Sequence, residues 1–174
     1  YDSLNAELEV VDPKSSEFAM IKTYFDKTKG NASSQLLNVW SVDRNGEEQR
    51  HGKYDSVDNR KLLWHGTNIA VAAPILTSGL RIMSHSGGRV GAGIYLANMQ
   101  EKSACYTCSY GAKYACMFLT EAALGKTHIV DQDGPHASQL KKAPVGFDSV
   151  HAVGRVEPMH WQEMTIDGRK VQVP

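Results

Sequence analysis

The run Lys61-Leu-Leu-Trp-His65 constrains the fold more than any other part of the chain. It reads as a short, mostly apolar strand that passes straight into Gly66, where the backbone can turn tightly or lie close against a ligand. Thr67 or Asn68 then caps a helix that Gly79 ends. The flanking segments supply partners for such a strand. Residues 6 to 11 alternate apolar and acidic side chains, the period of a half-buried strand. From Ser15 to Thr28 the period changes to a helical one, with Phe18, Ile21, Tyr24 and Phe25 at helical spacing and Gly30 beyond as a stop. Leu36 to Val42 reads as a second strand, followed by turn chemistry at Asn45-Gly46, where positive φ is tolerated.

Pro74 removes a backbone donor inside the helix after Asn68 and crowds the preceding turn, so this helix is expected to kink or to start late. Leu80 to Met83 reads as a brief strand. Ser84 to Gly93 holds four glycines in ten positions and is expected to form a mobile surface loop. Gly93 to Ala97 reads as a strand, and Asn98 with Glu101 resembles a capping box for a helix from 99, on which Ser103 and Tyr106 share a face. Ala115 to Leu124 is a buried strand, Lys126 to Val130 another, and Met164 to Val173 a hairpin around Asp167-Gly168. Short strands with a few helices indicate an α+β domain.

The 174 residues suffice for one domain. No apolar run approaches the roughly 18 residues that a membrane-spanning helix needs. Lys+Arg 19 against Asp+Glu 19 argues against a nucleic-acid surface, because phosphate contacts need an excess of Lys and Arg. Tyr1 in place of Met and the absence of a signal peptide suggest a piece of something longer. An odd set of thiols, Cys105, Cys108 and Cys116, favours a reducing cytosol or nucleus over a disulfide framework. The three also fall short of the four ligands of a structural zinc site, so they read as small buried or half-exposed thiols and no metal is expected.

The glycines at 87 to 93 lack the Gly-Lys-Ser/Thr ending of a phosphate-binding loop and open no helix, which suits a lid or wall over a pocket better than a nucleotide fingerprint. His65-Gly66-Thr67, followed by Gly93-Ile-Tyr95, Ser103 and Tyr106, is more informative. Gly66 would offer backbone N–H and C=O to a planar carboxamide, Ser103 a hydroxyl, His65 a hydrogen bond to a ribose hydroxyl, and a tyrosine ring a stacking platform. That set suits a nicotinamide riboside, although Tyr95 and Tyr106 read equally well as ordinary core aromatics.

These residues sit in a longer series: Asn59-Arg-Lys-Leu-Leu-Trp-His-Gly-Thr67, Ile75-Leu-Thr-Ser-Gly-Leu-Arg81, Gly93-Ile-Tyr-Leu-Ala97, Lys102-Ser-Ala-Cys-Tyr106, Glu121-Ala-Ala-Leu-Gly125 and Gly146-Phe-Asp-Ser-Val150. Taken in order, they closely resemble the catalytic domain of the poly(ADP-ribose) polymerases, within the diphtheria-toxin-like ADP-ribosyltransferases. The resemblance is to the DNA-damage-responsive nuclear branch, with Ser84 to Val90 as its short donor loop. It implies an α+β ADP-ribosyltransferase fold of mixed antiparallel sheets, in one catalytic domain over residues 1–174.

The resemblance also implies NAD+ as substrate, release of nicotinamide and transfer of ADP-ribose to protein acceptors, with no metal and no membrane. DNA would be reached only through other domains, in the nucleus. His65 would hold the adenine ribose, and the Gly66 backbone with Ser103 the carboxamide. Tyr106 would stack on nicotinamide, Tyr95 would form the opposite wall and act with His65 in catalysis, and Thr67 and Arg81 would add donor contacts. Such a clamp fixes the leaving group while its glycosidic bond lengthens.

Three departures from the pattern stand out. Ala92 replaces a lysine found in many relatives, and Pro74 interrupts a helix. The family's catalytic glutamate belongs to a later strand, and neither Glu157 nor Glu163 has its context. The expectation is therefore a domain lacking its C-terminal strands, with an exposed sheet edge and impaired transfer. A catalytically inactive NAD+- or ADP-ribose-binding module is the alternative, and an unrelated α+β interaction domain a third.

Overall fold

The computed structural model describes residues 4–83, 87–107, 112–131 and 135–174. The apolar run forms β3 (Arg60–Gly66), the inner strand on which the core is built. Its neighbour β4 (Met117–Ala123) pairs with it antiparallel along its whole length, from Arg60↔Ala123 to Gly66↔Met117. On the other side lies β8 (Arg169–Val173), parallel to β3 at Lys61↔Gln172, and β7 (Gln162–Ile166) closes the order β4-β3-β8-β7. The β7–β8 hairpin turns through Asp167 and Gly168, at φ of 47° and 76°, as the Asp-Gly pair predicts.

Helix α1 (Ser16–Thr28) covers this sheet. The Ser15 side chain accepts the Phe18 N–H at 3.1 Å and fixes its start. Ile21, Tyr24 and Phe25 meet Leu62, Trp64, Val171 and Val173 in one buried cluster. The Tyr24 and Trp64 rings lie 5.1 Å apart, and Phe25 meets Trp64 edge-on at 6.3 Å. Tyr24 is fully buried, yet its phenol donates to the Leu62 carbonyl at 2.9 Å, so its one polar group is satisfied. Burial holds that phenol neutral by pushing its pKa above the ordinary tyrosine range.

Arg60 is also buried, and its charge is met by Glu121 on β4 and the Tyr54 carbonyl, with Asp55 at 3.9 Å. Asp55 is held in turn by Arg169 at 3.0 Å. A buried guanidinium is tolerated here because its partners replace the water it loses.

Two small sheets flank the central one. Strands β1 (Ala6–Val10) and β2 (Trp40–Arg44) pair antiparallel, and β5 (Thr127–Val130) and β6 (Ser149–Ala152) pair parallel, with the short helix α5 (Pro135–Ser138) between them in the chain. The architecture is α+β, mainly antiparallel, with short helices. Among the described residues no helix is long and apolar enough to cross a membrane.

Several expectations from the sequence are corrected. The strand expected over Leu36–Val42 starts only at Trp40, because Leu36 and Val39 pack against the core cluster instead. The turn after Asn45 continues into α2 (Glu47–His51), which periodicity did not reveal. Helix α3 (Ile69–Ser78) neither starts late nor stops at Pro74. The Asn68 side chain accepts the Ala70 N–H at 2.9 Å, and the carbonyl that Pro74 leaves without a donor belongs to exposed Ala70, where water can serve it.

Leu80 to Met83 is not a strand, and within Gly93–Ala97 only Ala97 pairs, in a bridge to Trp64. Asn98 caps nothing: α4 (Gln100–Ala104) begins after Met99 with no side-chain cap. Residues 84–86 of the glycine loop, and Cys108, lie outside the described residues.

Candidate functional site

The exchange of hydrogen bonds between Trp64 and Ala97 organises the site. The Trp64 N–H donates to the Ala97 carbonyl at 2.8 Å, and the Ala97 N–H donates back at 2.9 Å. Backbone groups alternate sides along a strand, so the Gly66 N–H and C=O point the same way as those of Trp64, off the β4 side and along the Ala97 edge. Position 66 also has to be glycine for packing reasons. A Cβ there would lie 1.7 Å from the Ser103 carbonyl oxygen, inside any allowed contact.

Ser103 is 4% exposed, and its hydroxyl donates to the Trp64 carbonyl at 2.9 Å, which binds α4 to β3. A hydroxyl that donates there still has acceptor lone pairs. Helix α4 ends at Ala104, so Tyr106 does not share a helical face with Ser103 as expected. It follows in a turn closed by the Tyr106 N–H to the Ser103 carbonyl at 3.0 Å, which leaves its ring 54% exposed with Lys102 Nζ 5.5 Å from the centroid.

His65 Nδ1 lies 2.9 Å from the Tyr95 carbonyl oxygen. A carbonyl only accepts, so Nδ1 carries the proton in that bond and Nε2 of the neutral ring is the acceptor. Tyr95 uses its hydroxyl within its own loop: the hydroxyl donates to the Gly91 carbonyl at 2.6 Å and accepts the Val90 N–H at 3.2 Å. The Tyr95 hydroxyl thus ties the glycine loop to the segment that follows it. A second strut holds the loop at Ala92, whose N–H donates to the Leu140 carbonyl at 2.7 Å.

The structure thus knits His65, Gly66, Tyr95, Ser103 and Tyr106 around the end of β3. Thr67 is half-buried just past Gly66. Arg81 stands apart: it is exposed, and its Nε donates to the Ser78 carbonyl at 3.2 Å. The short contacts around the end of β3 define the site.

Sequence reasoning missed Arg50 on α2, which donates to the Ser78 and Leu80 carbonyls on either side of Gly79, at 3.1 and 2.6 Å. No local pattern marks such a contact, which spans about thirty positions of sequence. Cys105 is exposed and Cys116 half-buried, and burial raises the Cys116 thiol pKa. Among the described residues no three His, Cys, Asp or Glu side chains cluster as metal ligands would.

The chain that carries this glycine-backed strand end matches, over residues 15–174, a family described as the poly(ADP-ribose) polymerase catalytic domain. The chain belongs to this family. It is 47% identical to the protein mono-ADP-ribosyltransferase PARP3 of Gallus gallus over 99% of its own length, and 47% identical to that of Homo sapiens over 100%. Identity to poly [ADP-ribose] polymerase 1 of Xenopus laevis is 34%, again over the whole chain. The chain spans 32% and 33% of the two PARP3 relatives and 18% of the Xenopus polymerase. Membership of the polymerase family accounts for the α+β fold and excludes the unrelated interaction domain.

Proposed function

We propose that residues 1–174 form part of the catalytic domain of an NAD+-dependent protein ADP-ribosyltransferase and carry its nicotinamide-side donor site. The observation that carries this reading is the end of β3, where the Gly66 backbone pair is turned off the β4 side and its α-carbon is backed by Ser103. A primary carboxamide presents one N–H donor edge and one C=O acceptor in a plane, the complement of a backbone N–H and C=O on one strand. Ser103 supplies a third contact, the exposed Tyr106 ring a stacking surface, and His65 Nε2 an acceptor for a ribose hydroxyl. Thr67 and Arg81 extend the contacts along the donor.

Holding the nicotinamide rigidly by its carboxamide leaves the glycosidic bond as the soft coordinate, and the Tyr95-braced loop limits water at the reacting carbon. The transfer releases nicotinamide and places ADP-ribose on a protein acceptor. Among the described residues, Glu101 on the helix that carries Ser103 lies against Gly30, and Glu121 on the strand beside β3 is paired with Arg60. That distribution favours a second reading, donor binding without transfer. The PARP3 and PARP1 likeness further suggests a nuclear protein that meets DNA through other domains.

Incubation of the protein that carries this chain with labelled NAD+ tests the reading, scored both as bound donor and as modified protein. His65→Ala and Ser103→Ala are each expected to weaken donor binding about tenfold or more, from one lost buried hydrogen bond. Binding unchanged in both variants would sink the site assignment. Binding without protein labelling in the unaltered protein would select the second reading.

A further inference from the structure

We propose that Arg50 is a positioning residue for the donor site, acting by fixing the turn that carries Arg81. This rests on the donor-site reading above. The turn is irregular: residues 79–83 join no strand, and a backbone without a ladder needs other partners for its carbonyls. Arg50 supplies them. Its Nη1 and Nη2 reach the Ser78 and Leu80 carbonyls and straddle Gly79. Gly79 has a φ of 73°, and a Cβ on it would lie 2.1 Å from Arg50 Nη1, so the bare α-carbon makes room for the guanidinium.

Arg50 is itself held from α2. The Glu47 carboxylate lies 4.0 Å from it and also accepts from Arg44 Nε at 2.7 Å. The Ser78 carbonyl then receives a second donor, Arg81 Nε. One carbonyl therefore joins the two arginines, and Arg50 sets the surface on which Arg81 rests. Only Nε of Arg81 is used in that bond, which leaves its terminal amino groups to face a hydroxyl- or phosphate-bearing part of a donor. A planar guanidinium spanning two carbonyls is only partly replaced by an ammonium, which is a single point of charge.

The test compares two ligands in the protein that carries this chain: NAD+, which would extend from Gly66 toward Arg81, and nicotinamide, which would occupy only the Gly66–Ser103 end. Arg50→Ala is expected to weaken NAD+ binding about tenfold in calorimetry while nicotinamide affinity stays within about twofold, and Arg50→Lys to recover part of the loss. Arg50→Ala combined with Arg81→Ala should bind NAD+ no more weakly than Arg81→Ala alone, since both act through one contact.

Additive losses, or equal losses of both ligands, would overturn the positioning role. Unchanged NAD+ binding in Arg50→Ala beside a loss in Arg81→Ala would overturn it while sparing the donor site. If Arg81→Ala itself leaves NAD+ affinity intact, Arg81 leaves the site and the inference fails with it. Should Arg50→Ala fail to fold, Arg50→Lys must show the NAD+-selective loss on its own, and its absence counts against the proposal.

Discussion

Helices α1 and α3 make an instructive pair. Helix α1 is the more polar in sequence, yet it buries Ile21, Tyr24, Phe25 and Thr28 against the central sheet. Helix α3, Ile-Ala-Val-Ala-Ala-Pro-Ile-Leu-Thr-Ser, is apolar nearly throughout and buries none of its residues, with Ile69 62% and Val71 43% exposed. Burial therefore follows position along the helix and what lies opposite it. In α1 the apolar side chains share one stripe, and β3 and β8 present Leu62, Trp64, Val171 and Val173 to meet it. Helix α3 packs only lightly, and its termini are fixed by polar groups instead: Asn68 at the start and the Arg50-braced turn at the end.

Matched substitutions put this contrast at risk. Phe25→Ala should cost about 4 kcal/mol in denaturant unfolding, the usual range for emptying a core aromatic site. Ile69→Ala, in the apolar helix, should change stability by less than about 0.5 kcal/mol. A large loss at Ile69 would mean that α3 is stabilised by burial after all. Between these extremes, Gly66→Ala should cost about 3 kcal/mol by overpacking, and should abolish nicotinamide binding because α4 must move off β3. A protein that keeps both would refute the tight backing of the site by Ser103.

The smallest expected effect lies on the outer face of α1. Hydrogen bonds from Lys22 and Lys29 hold the Asp26 carboxyl below its ordinary range. A depressed carboxylate pKa contributes stability that is present above the unfolded-state value and is lost as pH falls through the folded one. Asp26→Asn should therefore lower the melting temperature slightly at neutral pH, with the difference closing in acid and shrinking in high salt. A difference that persists in acid would assign the effect to something other than charge.

Where local chemistry is strong, the sequence was legible. The helix expected from Ser15 to Thr28 and the Asp167-Gly168 turn formed as expected, as did the apolar β3 that stops at Gly66, because each depends on residues a few positions apart. Strands expected at Leu80–Met83 and Gly93–Ala97 did not form, since a strand needs a neighbour and of these residues only Ala97 has one, in its bridge to Trp64. The same limit applied to the site. His65, Gly66, Ser103 and Tyr106 were visible as residue types in the right order. That the Tyr95 hydroxyl closes on its own loop, and that the Ser103 hydroxyl faces the Trp64 carbonyl, were not.

The sequence by itself determined the strand that ends in a glycine, the helix from Ser15 to Thr28, the neutral charge balance and the order of motifs that marks the family. Each is set by neighbouring side chains and by the conformations their backbones allow. Only the tertiary structure decided that the more polar helix α1 is buried while the apolar α3 stays exposed, which way the Gly66 amide and carbonyl face, and that Arg50 braces the turn of Arg81. Those depend on groups distant in sequence, from Arg50 and Ser78 to Ile21 and Val171, meeting in space, and no local periodicity encodes such a meeting.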